Sequence, residues 1–454
     1  MRNSGRLAAS IEILDLAADG GPPADRVLDQ YLRARRYIGS SDRRAISERV
    51  WGIFRRRARL DWWLKRAPKG LRTDGRGRVL ADLALTDRLK VQQISELFDG
   101  SHHGPASVTK EENVALRELV GKPFDHNEMP DHVGAECPDW LWSRMEAQFG
   151  AETGELVRSL NDQPPFDLRL NELQGVTRES AIADLQALEI EAVPGELSPI
   201  CIRLDKRRPI DQLELFKQGA LEVQDEGSQL AALLVGAKPG MTVFDYCAGA
   251  GGKSLVLASG MRNKGRLLLM DVSQGRLDRA AVRLRRAGIH NAERRTIVPG
   301  DKTLKRLKGK ADRVLVDAPC SGTGTWRRNP DSKWRYSEED LANVSKEQSE
   351  IVERAARLVA PGGRLIYVTC SLLRDENEAA VEKFLAAHSD FQTMEIAPLW
   401  EEAVTSSGGG ACPALTDPRY LRLDPLHQGT DGFFVAVLQR AKPAADSTNP
   451  SSQS

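Results

Sequence analysis

The chain has 454 residues, 41% of them hydrophobic and 28% charged, and a net charge of +1. That length suggests two or three domains, and the apolar content suffices for a sizeable core. Nothing approaches the ~18 consecutive apolar residues of a membrane helix, and the N-terminus (MRNSGRLAASIEILDLAADGG) lacks a secretory apolar core with a cleavage site, so a cytoplasmic protein is expected.

Residues 1–100 read as helical. Val27, Leu28, Tyr31 and Leu32 form one apolar stripe and Ile46, Val50, Ile53 and Phe54 a second, with Leu60, Trp63 and Leu64 continuing the pattern. The segment SHHGPASVTKEENV is turn-rich, and DHNEMPDHVGAECP reads as a linker. A small α/β subdomain is expected over 131–222, with PDWLWSRMEAQFG and SAIADLQALEI as helices and FDLRLN as a strand. From Leu221 onward the strands TVFDYCA, RLLLMDV, RVLVDAP and RLIYVTCS alternate with helical patterns, which implies βαβ units and a parallel sheet. Ligands in such sheets bind beyond the carboxyl ends of the strands. DGFFVAVLQR is the last strand, and 441–454 reads as a disordered tail.

The near-zero net charge conceals an asymmetry. Residues 1–90 hold 21 Lys and Arg against 11 Asp and Glu, and residues 261–310 hold 15 against 4. A basic island can be a solvated helix face. Two of them in a near-neutral chain favour a polyanionic partner, because Lys and Arg gain affinity by releasing counterions from phosphates.

The first parallel strand runs into DYCAGAGGKS, residues 245–254. Glycines between a strand and a helix let backbone N–H groups approach a ligand. A phosphate-binding loop would need a glycine where this chain has Cys247 and Ala248, and a dinucleotide fingerprint starting at Gly249 would need one where it has Ser254. A sulfonium cofactor with an amino-acid tail remains, with Cys247, Ala248, Gly249, Ala250, Gly251, Gly252 and Lys253 as its loop. Asp271, 22 residues past Gly249, is placed to accept hydrogen bonds from ribose hydroxyls, and Asp301 to hold the adenine end.

Cys137, Cys201, Cys247, Cys320, Cys370 and Cys412 lie far apart, with no CxxC pair and no zinc-like spacing, so neither a disulfide framework nor a metal site is expected. Two of them end strands, in DAPCSGTGTWRRNP (317–330) and TCS (369–371). A thiolate suits methylation of cytosine carbon 5, which is a poor nucleophile until a nucleophile adds at carbon 6. Asp317 is placed to hydrogen-bond cytosine N3 and make carbon 6 more electrophilic.

CAGAGGKS at 247–254, Asp271, Asp301, DAPCSGTGTWRRNP, TCS and DGFF at 431–434 together resemble the catalytic domain of the RsmB/Sun (NOL/NOP/Sun) RNA cytosine-5 methyltransferases. The resemblance implies a Rossmann-like α/β domain over 223–440 that uses S-adenosylmethionine. It makes Cys370 the nucleophile and Cys320 the residue that helps release the methylated RNA. Ala250 stands where the family more often has Pro, at a position that contributes backbone. The family likeness also implies an RRM-like small subdomain and, over 1–130, an all-α NusB-like RNA-binding domain. That combination favours 16S ribosomal RNA as partner over transfer RNA, with no metal and no membrane. A DNA-type enzyme would use Cys320 as its nucleophile, and a noncatalytic RNA-binding factor would have lost cysteines or glycines that are intact here.

Overall fold

The computed structural model describes residues 1–18, 20–68, 70–298 and 301–442; the expected tail falls outside them from residue 443. Among the described residues no helix is long and apolar enough to cross a membrane. The chain divides into two compact units, one of residues 1–163 with 325–340, the other of 164–324 with the chain from 341 onward.

The first unit is helical, built on Asn3–Leu16, Ala24–Ala34, Ser40–Arg55, Arg57–Arg66 and Gly75–Leu85 with shorter helices around them. Its apolar stripes turn inward: Ile46, Val50, Ile53 and Leu60 are fully buried with Ile13, Val79 and Leu80, each contributing about 1.5–3 kcal/mol of burial. Several arginines of the basic stretch are used internally. Buried Asp82 sits between Arg49 at 2.6 Å and Arg56 at 2.7 Å, and Arg78 pairs with Asp61 at 2.7 Å. The stretch expected as a linker is packed instead, with Ala135, Glu136 and Cys137 all buried. Glu136 accepts the backbone N–H groups of Ala58 at 2.8 Å and Arg59 at 3.3 Å, which a helix beginning at Arg57 leaves without internal partners. Residues 325–340 complete this unit. Asp331 accepts the Ala24 N–H at 2.9 Å, Trp334 Nε1 donates to the Phe54 carbonyl at 3.1 Å, and Arg55 donates to the Arg327 carbonyl at 2.7 Å.

The second unit holds two sheets. The smaller comprises β1 (Phe166–Leu170), β2 (Ala192–Pro194), β3 (Cys201–Leu204) and β4 (Leu221–Val223), antiparallel in the order β2-β3-β1-β4. Phe166, Leu168 and Leu170 pack with Ala181 and Leu185 of the helix Arg178–Ala187. Alternate residues carry charge, as the two-residue period of a strand requires. Asp167 pairs with Arg203 at 2.7 Å, and Arg203 reaches Glu226 at 3.1 Å. Asp167, Cys201 and Glu226 converge as a metal-ligand set would, but the Arg203 guanidinium takes both carboxylates.

The larger sheet comprises β5 (Thr242–Asp245), β6 (Arg266–Asp271), β7 (Ala292–Thr296), β8 (Ala311–Asp317), β9 (Val359–Thr369), β10 (Phe391–Thr393), β11 (Tyr420–Leu423) and β12 (Phe433–Arg440). The order is β10-β12-β9-β8-β5-β6-β7, with β11 on β12. The pairs from β9 to β7 are parallel, and β12 runs antiparallel to β9. Leu267 to Met270 and Val314 to Val316 are buried on both faces, as a sheet covered by crossover helices demands. The result is a Rossmann-like α/β fold. Strand order reverses between β5 and β8, and the crevice at such a switch point is where ligands bind.

Candidate active site

Four strands deliver their last residues to that crevice: β5 brings Asp245, β6 Asp271, β8 Asp317, and β9 runs into Cys370. A cavity of ≈ 1460 Å³ opens there. Cys247, Ala248, Gly249, Ala250, Gly252, Lys253, Asp271, Asp301 and Asp317 all line it. Gly251 does not; at φ +78° it turns the chain into the helix Gly252–Gly260, and a Cβ there would lie 3.1 Å from that of Ala280. Gly249 has φ +55° and open space where a side chain would be. β7 ends at Thr296, so Asp301 reaches the cavity from the loop beyond it.

Asp271 shapes the loop as well as lining the cavity. One oxygen accepts the Gly249 N–H at 2.9 Å and the other the Ser273 N–H at 2.8 Å, which ties the glycine loop to the end of β6. Asp245, which is not among the site residues expected from the sequence, also lines the cavity. Its Oδ2 accepts from Ser254 at 2.6 Å, while buried Oδ1 has no partner. Asp317 is joined to Lys253 at 2.6 Å. Burial works to strip the proton from Lys253, but the Asp317 charge and hydrogen bond outweigh it and raise its pKa, with Cys370 adding to the attraction.

Cys320 and Cys370 do not line the cavity; they sit beside it, half-buried, with sulfurs 3.3 Å apart, hydrogen-bonded and not joined as a disulfide. Backbone lacing fixes the loops that carry them. Gly324 N–H donates to the Cys370 carbonyl at 2.9 Å, and Gly432 N–H donates to the Gly324 carbonyl at 2.8 Å. The glycines of SGTG and DGFF are therefore a close-approach pair: a Cβ on Gly324 would fall 2.4 Å from the Gly432 oxygen. The hydrogen bond to Cys370, then burial, push the Cys320 thiol well up. The run DAPCSGTGTWRRNP divides after Gly324, and its second part packs in the first unit.

A sequence profile of the 16S rRNA methyltransferase RsmB/F family matches residues 232–439, and one for the ferredoxin-like domain of RsmF/B-like methyltransferases matches residues 137–211. The probable ribosomal RNA small subunit methyltransferase B of Synechocystis sp. is 32% identical over 437 residues, which span 92% of this chain and 95% of that one. The crystal structure of PH0851 superposes with a TM-score of 0.76 at 26% identity, covering 97% of this chain and 99% of its own. NSun6 from Pyrococcus horikoshii, solved with SFG, shares the fold over 67% of this chain and 98% of its own, with a TM-score of 0.57 and 19% identity.

Proposed function

Because the chain belongs to the RsmB/F family of 16S rRNA methyltransferases, we propose that it methylates carbon 5 of a cytosine in 16S ribosomal RNA, with S-adenosylmethionine as donor and Cys370 as covalent nucleophile. The observation that carries this reading is the pair of thiols 3.3 Å apart at the ends of neighbouring strands, beside a cavity with more than enough room for the cofactor. One sulfur can attack while the other attends the same ring.

The cavity's chemistry fits the donor. Unpartnered Oδ1 of Asp245 suits a cationic amino group, open Gly249 admits the backbone's close approach, and Asp271 and Asp301 suit ribose and adenine. When bound, the cofactor supplies an electrophilic methyl group. The chain's own residues do the rest. The Cys370 thiolate adds to carbon 6, and the carbon 5–carbon 6 pair moves onto carbon 5, which takes the methyl group. Loss of the carbon 5 proton to a base then expels the thiolate and restores the ring, with Cys320 assisting that release. Lys253 places its ammonium next to Asp317 and within the field of Cys370. It favours a thiolate on one side, and on the other the Lys253–Asp317 pair holds the proton that cytosine N3 would share.

Labelled methyl transfer to an unmodified small-subunit rRNA transcript tests this reading, with each cysteine replaced in turn. Cys370→Ala should abolish both methylation and any covalent protein–RNA species. Cys320→Ala should permit attack and methyl transfer, and trap a cofactor-dependent adduct that survives denaturing gels. Adduct lost in Cys320→Ala and kept in Cys370→Ala would assign the nucleophile as in DNA enzymes and overturn the reading. Methyl transfer to transfer RNA but not to the rRNA transcript would overturn the substrate alone.

A further inference from the structure

Between the two cysteine loops lies a carboxylate to which neither the cofactor nor the covalent chemistry gives a part. Glu376 is fully buried. Its Oε1 accepts the Ser321 N–H at 2.7 Å and Gln348 Nε2 at 3.1 Å. Its Oε2 accepts the Ser321 hydroxyl at 2.5 Å and the Ser371 hydroxyl. Ser321 follows Cys320 and Ser371 follows Cys370, so one side chain ties both loops. Every one of these partners is a neutral donor, and among the described residues no Lys, Arg or His pairs with it. Neutral donors do not need a charged acceptor, and burying a carboxylate without a counterion is costly. An amide could tie the same loops more cheaply. The charge therefore asks for a reason beyond packing.

We propose that Glu376 is a positioning residue that decides which of the two sulfurs attacks, by holding the loops together and placing negative charge on the Cys320 side. The inference rests on the reading above in which Cys370 is the nucleophile. Opposite charges act on the two sulfurs. The Lys253 ammonium is attracted to Cys370, whereas the Glu376 carboxylate acts against charge on Cys320. A cation stabilises a nearby thiolate and an anion opposes one. The sulfurs are 3.3 Å apart and either can donate to the other; under the proposal the shared proton sits on Cys320. Two adjacent, chemically identical thiols become unequal.

The test is alkylation of the full-length protein by iodoacetamide across pH, with the two cysteine peptides quantified separately by mass spectrometry. In the wild type Cys370 should react at lower pH than Cys320. In Glu376→Gln, Cys320 should react about tenfold faster at a fixed pH near 8, the equivalent of one pKa unit, and the two midpoints should converge. Glu376→Asp, which keeps the charge, should restore much of the separation. A purely packing role would lower thermal stability and leave the separation of midpoints intact, and that result in folded Glu376→Gln overturns the proposal. Should Glu376→Gln not fold, Glu376→Ala removes the same charge with a smaller side chain, and midpoints as far apart as in the wild type overturn it equally. The covalent reading is checked apart from this by the adduct in Cys370→Ala: an adduct that persists there sinks the nucleophile assignment whatever the alkylation shows.

Discussion

Burial at the end of β5 pushes the Asp245 carboxyl up to about 7; the Ser254 hydrogen bond and Lys253 pull it down, and Asp317 and Asp271 add to the rise. In the unfolded chain the same group titrates at its ordinary 3.8. Between those values the folded protein holds a proton that unfolding releases, so this group's contribution is full below 3.8 and is lost as pH rises to about 7. Asp245→Asn cannot ionise, and it should flatten that fall. Between pH 5 and pH 8 the urea midpoint of the wild type should drop further than that of the variant. Equal drops would show that Asp245 carries no such burden. A cationic ligand group beside Oδ1 should relieve the same strain, so S-adenosylmethionine should protect the wild type more at pH 8 than at pH 5.

At the scale of elements, the site depends on how closely strand-end loops approach one another. In Gly432→Ala the new Cβ would lie 2.5 Å from the Gly324 Cα and 2.7 Å from Leu372 Cδ2. Backbone cannot yield cheaply there, and overpacking of this kind costs about 1–3 kcal/mol. The expected outcome is a folded protein that binds cofactor normally but transfers methyl groups poorly, measured by thermal unfolding, calorimetry and methyl transfer together. Normal turnover would mean that the loops tolerate being parted. Much of this is legible in the sequence, because apolar runs ending in Asp245, Asp271, Asp317 and Cys370 announce parallel strands delivering polar residues to one edge. Glu376 is not legible. It lies six residues past Cys370 in an irregular stretch, and only the tertiary fold brings it onto Ser321. The helix Glu338–Ala356 does not stand out by its strand–helix alternation, although Ser337 and Asp340 exchange N–H hydrogen bonds at its start, a capping box readable as Ser-x-x-Asp.

For the whole molecule, charge is the property that local sequence represents least well. The basic excess of residues 1–90 is partly internal, since Arg49, Arg56 and Arg78 are spent on Asp82 and Asp61. Sequence alone cannot tell an arginine facing a carboxylate 17 or 33 positions away from one facing water. Arg33, Arg36 and Arg44 remain exposed, Arg33 while paired with Asp29 at 2.8 Å, and Tyr37 is 75% exposed. These are proposed to grip RNA phosphates, with the tyrosine offering a stacking face. Replacing the three arginines by alanine should make the plot of log affinity against log salt shallower, by roughly 0.7–0.9 for every phosphate no longer neutralised. The Cys320–Cys370 chemistry should survive at saturating RNA. An unchanged slope would make them solvated surface only.

The division of DAPCSGTGTWRRNP after Gly324 also bears on the order in which the molecule can be made. The helical unit opens the chain, yet its Ala24 cap and the bonds at Arg55 and Phe54 all await Asp331, Arg327 and Trp334. When synthesis has passed residue 163, the ribosome has delivered nearly all of that unit's helices but not the piece that finishes it. Another 170 residues, including Asp245, Asp271, Asp301 and Cys320, must emerge before Trp334 does. The N-terminal body therefore matures late, alongside the catalytic strands, and the nascent chain cannot complete its two units one after the other.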